Sequence, residues 1–416
     1  MLLHARRALT ANSLQLLLNQ ALSLSVFLLL ARHLDKAAFG LLNGLLALLL
    51  LVFGVLSFGI DQLLVRKAAN GEDPATLLGM GLVHNFLAAT LLYLCLLSAS
   101  FFSRELPLQA LLFLCAGKGL LFLGQVFKSV VAGQERFRRL LAMSLAANLG
   151  KAIGLWMLVQ QGPLALRDVV LVFFLSDALE AVTCLLLAGA PIRLPFKSIR
   201  ARYRSLLLES LPQLGTVLFA AALARFDWLF LAFASNASEL AEYSFAYKSF
   251  ELAQLPLLVI APLLVPRFTR FLRSGQGRGE LKQLLRTEAV LALLTVLVLN
   301  TAWTPVADWV SDGKYGAACR TTVLLLSLAI PVLYYNNYLW SLLFAEGRTK
   351  LIFRIFAATF FVNVMGNLVL VPTLQKEGAA LAFGVSLLVQ TFLYHYYTHP
   401  GWRLRLRRSP EATGTS

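Results

Sequence analysis

Apolar residues run through this chain in blocks of about 20, the length an α-helix needs to cross hydrocarbon, and short polar loops separate the blocks. Twelve such segments can be placed, at approximately 9–31, 38–60, 77–101, 107–132, 139–160, 168–190, 206–234, 240–269, 287–310, 320–344, 351–371 and 378–398. The pattern predicts an all-α integral membrane protein. No loop is long enough to hold a soluble domain, so an extramembrane catalytic domain is excluded. The most basic connection runs from Arg193 to Arg204, next to Pro191 and Pro195, and falls near the midpoint. It divides the chain into a six-helix bundle at 1–192, a basic linker at 193–205, a second six-helix bundle at 206–400 and a basic tail at 401–416.

The text on either side of this linker partly repeats. The first segment leads into LARHLDKAAFG and the seventh into LAFASNASELAEY. The fourth ends in SVVAGQERFRRLL and the tenth in SLLFAEGRTKLIF, and each is followed by an Asn in the next segment, Asn148 and Asn363. With an even number of helices per half, both halves begin on the same side of the membrane. The expected architecture is two parallel-related six-helix bundles around a central cavity, with a substrate site between the halves.

Composition agrees with a membrane chain. Of 416 residues, 58% are hydrophobic and 14% charged, against about half and a quarter in soluble domains. The formal net charge of +16 is mostly topological, with 25 of the 37 lysines and arginines on the side that carries the N-terminus. The positive-inside rule then puts both termini in the cytoplasm and makes a nucleic-acid role the weaker explanation of the charge.

Five cations remain inside the spans: Lys118, Lys128, Lys151, Arg225 and Lys248. A Lys or Arg at the bilayer centre costs about 2.5–3.5 kcal/mol even on mild insertion scales, so such residues usually face an interior cavity. Lys118, Gln125 and Lys128 lie on the fourth segment and Lys151 on the fifth, three residues after Asn148; together they form a ladder suited to an anionic head group. Asp177 and Glu180 on the sixth segment are placed either to neutralise those lysines or to carry protons. On the seventh, Arg225 and Asp227 do not share a helix face, so each needs a partner elsewhere or a wet space. On the eighth, Lys248 and Glu251 can pair locally, and Pro256, Pro262 and Pro266 suit a bending gate or simply the end of the helix. Asn12, Gln15 and Asn19 fall on one face of the first segment, as a cavity lining or as interhelical hydrogen-bonding groups.

Neither cofactor nor metal is expected. There is no G-x-x-x-x-G-K-[ST] loop, no ligand cluster and no nucleophile constellation, and the four cysteines are scattered without ligand spacing. The expectation is a transporter, not an enzyme.

The motifs LDKAAFG, FGIDQLLVR, ARFDWLFLAF, AEYSFAYKSFELAQLPLLVIAPLLVPRF and FAEGRTK resemble the polysaccharide-transport branch of the multidrug/oligosaccharidyl-lipid/polysaccharide exporter superfamily, and within it the Wzx-type O-antigen flippases. The resemblance covers nearly the whole chain. It departs where the family often has Gly-x-Tyr opening the eighth helix, since this chain has Glu242-Tyr243-Ser244. It implies transfer of an undecaprenyl-pyrophosphate-linked oligosaccharide from the cytoplasmic to the periplasmic leaflet of a bacterial inner membrane, by alternating access through a cationic cavity. It also implies membrane lipids as surroundings, and a polysaccharide polymerase and a chain-length regulator as partners. A peptidoglycan-precursor flippase and a cation-coupled multidrug exporter are the alternatives on the same fold; a drug-cation exporter would favour an acidic cavity.

Overall fold

A computed structural model describes residues 2–101, 106–194, 199–275 and 277–398, with side chains in the first helix from Leu17 onward. Among the described residues all regular structure is helical: α1 Leu2–His33, α2 Lys36–Leu56, α3 Ile60–Ala69, α4 Pro74–Ser100, α5 Leu106–Gly133, α6 Phe137–Gln161, α7 Leu166–Leu187, α8 Ile199–Ala234, α9 Ala237–Ala253, α10 Leu255–Ser274, α11 Arg278–Ser311, α12 Arg320–Ala345 and α13 Thr349–Thr398. Eight of them are long and apolar enough to cross a membrane, which makes this a multi-pass membrane protein. The expectation of twelve spans goes beyond that number.

Three helix boundaries differ from the sequence pattern. The second span stops at Leu56, because Phe58 and Gly59 both take positive φ, and a short helix, α3, follows. The eighth span splits into α9 and α10 at Gln254, where Pro256 occupies the first turn of α10, a position that needs no N–H donor. The break expected between the last two spans is present within α13, where Gln375 leaves helical geometry at φ 49° and ψ −124°. The basic linker is helical from Ile199 onward, since nothing after Pro195 breaks the helix.

The chain packs as two units, Met1–Ala221 and Ala222–Ser416, with the division inside α8. In the first, Ile60, Leu63 and Leu64 of α3 pack with Leu78 of α4, Val126 and Val130 of α5 and Met143 of α6. In the second, Leu264 and Phe268 of α10 pack with Leu281 of α11, while Leu343 of α12 packs with Ile355 and Tyr394 of α13. Large apolar side chains such as Leu91, Leu186, Phe233, Trp309 and Phe392 face outward. Apolar exposure on this scale is tolerated where lipid covers it.

The two units use the same devices at corresponding corners. Asp35 caps α2 by accepting from the N–H of Ala38 at 3.1 Å, and Asn236 caps α9 by accepting from the N–H of Glu239 at 2.9 Å. After α5, the N–H groups of Gln134, Glu135 and Arg136 donate to the carbonyls of Val130, Ala132 and Val131; after α12, those of Glu346, Gly347 and Arg348 donate to Leu342, Phe344 and Leu343. The repeated AGQER and AEGR texts therefore fold as one helix-terminating corner used twice.

Candidate functional site

Small residues set the geometry of the first unit. Gly150 and Gly154 on α6 lie against Ser176 and Val172 of α7, where a Cβ would come within 2.9 and 2.8 Å of a side-chain atom. Gly117 on α5 lies against Phe174 and Asp177, and Gly124 against Cys184, so α7 is gripped from two sides. Small-residue packing of this kind is how membrane helices approach closely. It brings the neighbouring lysines onto α7.

Asp177, 1% exposed, receives both. Lys118 Nζ donates to Oδ2 at 2.9 Å, and Lys151 Nζ makes an ion contact with Oδ1 at 2.5 Å. The two ammonium groups lie 6.0 and 5.0 Å from the centroid of the Phe173 ring, an added cation–π attraction. Lys128 donates to Glu180 at 2.6 Å. Three lysines thus meet two carboxylates in direct ion pairs. Gln125 is half-buried on the same helix as Lys118 and Lys128. Asn148, one turn before Lys151, donates to Asn19 of α1 at 3.1 Å. Asn12 and Gln15 lie outside the residues whose side chains are described.

Just past the second span, Asp61 on α3 sits near Lys128. Burial pushes its carboxyl up to about 6, and the Lys128 charge opposes the rise. The paired cluster therefore has an ionisable carboxyl beside it with a midpoint close to neutrality.

The second unit holds a separate network. Glu251 accepts from Arg225 Nη2 at 2.7 Å and from Lys248 Nζ at 2.8 Å. The Arg225 guanidinium lies 4.5 Å from the centroid of the Trp228 ring and 5.7 Å from that of Tyr247. Arg225 thus finds its partner on α9, and Lys248 pairs locally, as its spacing from Glu251 allows. Asp227 is fully buried and accepts from the Tyr243 hydroxyl at 2.6 Å, while its Oδ1 has no hydrogen-bond partner among the described residues. Pro256 opens α10, Pro266 lies on an exposed position of it, and the Pro262 side chain lies outside the described residues.

Two polar groups of this unit lie outside the candidate residues read from the sequence. Lys376, at the α13 bend between the two expected spans, holds Glu239 at 3.0 Å and Glu242 at 2.8 Å, joining the bend to α9. Burial alone would lower its pKa; the hydrogen bonds and charges of those carboxylates outweigh it and hold the ammonium above the ordinary lysine value. Glu288 on α11 is a buried carboxyl, 1% exposed, near Asn337 of α12. It sits two residues past Arg286, at the start of the ninth predicted segment.

The sequence matches the model of a family described as "Polysaccharide biosynthesis protein" over residues 6–272. No curated protein matches it. Among solved structures, the fold is similar to that of the lipid II flippase MurJ in an inward closed conformation, with a TM-score of 0.73 at 15% identity over 92% of this chain and 86% of that one. It is also similar to an inward-facing multidrug resistance MATE family transporter of the MOP superfamily, with a TM-score of 0.69 at 12% identity over 97% of this chain and 100% of that one. The eukaryotic MATE transporter AtDTX14 aligns with a TM-score of 0.61 at 14% identity over 97% and 98%.

Proposed function

This chain belongs to the polysaccharide biosynthesis protein family, and from that premise we propose that it is a flippase for an undecaprenyl-pyrophosphate-linked oligosaccharide, an O-antigen or exopolysaccharide repeat unit. It carries the head group from the cytoplasmic to the periplasmic leaflet of a bacterial inner membrane by alternating access, with both termini in the cytoplasm. The polymerase that extends the repeat and its chain-length regulator act as partners on the product.

One observation carries this reading. Asp177 and Glu180 are the two carboxylates in direct ion pairs with Lys118, Lys128 and Lys151, and the third charge is met only by Asp61 near Lys128, without an ion pair among the described residues. A cation held in excess among apolar helices is costly unless it meets an anion, and the pyrophosphate of a lipid carrier is such an anion. The ammonium groups are poised to exchange part of their carboxylate contact for phosphate oxygens. The sugar chain then follows through a polar path while the lipid tail remains in the bilayer. In the second unit, the Arg225–Glu251–Lys248 group with Trp228 and Tyr247 offers charge and aromatic faces suited to sugar contact. A cationic drug would meet repulsion at the lysines, which disfavours the multidrug alternative. The similarity of fold to a lipid II flippase keeps a peptidoglycan precursor as the second reading.

Deletion of the gene followed by lipid extraction tests the proposal. Accumulation of an undecaprenyl-linked repeat in the cytoplasmic leaflet is the expected result and names the cargo; accumulation of lipid II selects the second reading, and an unchanged lipid pool rejects both.

A further inference from the structure

We propose that Glu288 is a proton-binding site of the second unit, distinct from the ion-paired carboxylates, and that it links transport to protons. Asp177, Glu180 and Glu251 each lie within 3 Å of a lysine or arginine nitrogen. Glu288 has no such partner among the described residues. Its Oε1 faces Asn337 Nδ2 at 3.5 Å, a distance too long for a strong hydrogen bond, and its Oε2 has no hydrogen-bond partner among the described residues. An ionised carboxylate in that state is expensive enough that the group takes a proton instead.

The surroundings agree. Leu284 and Leu291, one turn to either side on α11, belong to the apolar cluster built on Leu264 and Phe268 of α10 and Leu281 of α11, with Tyr338 and Leu342 of α12 packed against it. The titratable groups that face Glu288 are the phenols of Tyr334 and Tyr338 on α12, the latter beside Tyr335. On α10, Arg267 is turned toward Glu280, two turns earlier on α11 than Glu288. Lys282 and Arg286 lie closer along α11 and complete the basic stretch toward the helix start. Glu288 is ten residues from that start, about 15 Å along the axis, within reach of water on the basic side once α11 and α12 part. The proton moves between that water and a carboxylate oxygen, with no other bond changed.

The coupling half of this proposal rests on the flippase reading; the proton site does not, and the two are tested separately. Infrared difference spectra of the purified full chain, taken from acid to alkaline pH, read protonated carboxyls directly. In an Asp61→Asn background, which removes the other carboxyl that titrates near pH 6, one carboxylic-acid carbonyl band is expected to disappear as pH rises. It should be absent in Glu288→Gln, shifted but present in Glu288→Asp, and retained in Asp227→Asn. A titrating band unchanged in Glu288→Gln, or a Glu288 band that never titrates, overturns the site. In vesicles with an undecaprenyl-pyrophosphate-linked saccharide as probe, an imposed proton gradient should change the wild-type rate several-fold and leave Glu288→Gln unaffected. An equal response in both overturns the coupling. Absence of all flipping counts against the flippase reading, and the infrared arm still decides the site.

Discussion

Lys118 and Asp177 are joined at 2.9 Å across α5 and α7, and the same carboxylate holds Lys151 from α6. One acid therefore serves two bases. Removing the acid is the worse change: Asp177→Asn leaves two ammonium groups uncompensated in a dry setting and should destabilise the fold by about 3–5 kcal/mol. Lys118→Met should cost under about 1 kcal/mol, since Asp177 keeps Lys151 as its partner and is not left as an uncompensated buried charge. Thermal unfolding of the two purified variants checks the order.

Charge balance and function can be separated. Lys118→Met removes the excess positive charge, whereas Lys128→Met with Glu180→Gln removes one charge of each sign and keeps it. Export of surface polysaccharide should fall about tenfold or more in the first, equivalent to about 1.4 kcal/mol of head-group attraction, and less than half as much on the same energy scale in the second. Equal loss in both would mean that the individual pairs matter and the excess charge does not.

At Arg225 the plane matters as well as the charge. A lysine there would keep an ion pair with Glu251 but lose the stack on Trp228. Arg225→Lys should lower stability by about 1–2 kcal/mol, seen as a lower thermal midpoint, with Trp228→Phe giving a smaller loss.

The repeated corner makes its own prediction. Glu135 and Gly347 occupy the same left-handed place, at φ 57° and 73°. Glu135→Gly should raise the thermal midpoint and Gly347→Ala should lower it, each by about 1 kcal/mol.

Asp61 sets a pH dependence. Its carboxyl is raised from 3.8 to about 6 in the folded chain, by burial first, against the opposing charge of Lys128. A raised folded pKa means that its contribution to stability is full below about pH 4 and is lost as pH rises through about 6. The thermal midpoint should fall across that window in the wild type, and the fall should shrink in Asp61→Asn.

The all-helical membrane class was legible because a bilayer demands about 20 apolar residues per crossing, and the chain supplies them in blocks. The paired corners were legible too, as Asp35 against Asn236 and Glu135 against Gly347, because caps and turns are local. The break at Phe58 was not, since phenylalanine is no recognised breaker and only the backbone reveals the departure, whereas the break at Gln375 falls between the eleventh and twelfth predicted spans. Among the charged residues, spacing along one helix found Lys248 with Glu251. It could not decide that Lys118 and Lys151 share Asp177, because that depends on how closely Gly117 and Gly150 let three helices approach. Glu288 escaped attention because it stands at the start of the ninth predicted segment, where a charge is ordinarily solvated.

The most direct test is leaflet transfer by the purified chain in vesicles that carry an undecaprenyl-pyrophosphate-linked oligosaccharide, with lectin access reporting the outer leaflet. The account predicts that the wild type makes the sugar accessible and that Lys118→Met, folded by thermal unfolding, slows this about tenfold. Transfer by Lys118→Met at the wild-type rate would contradict it.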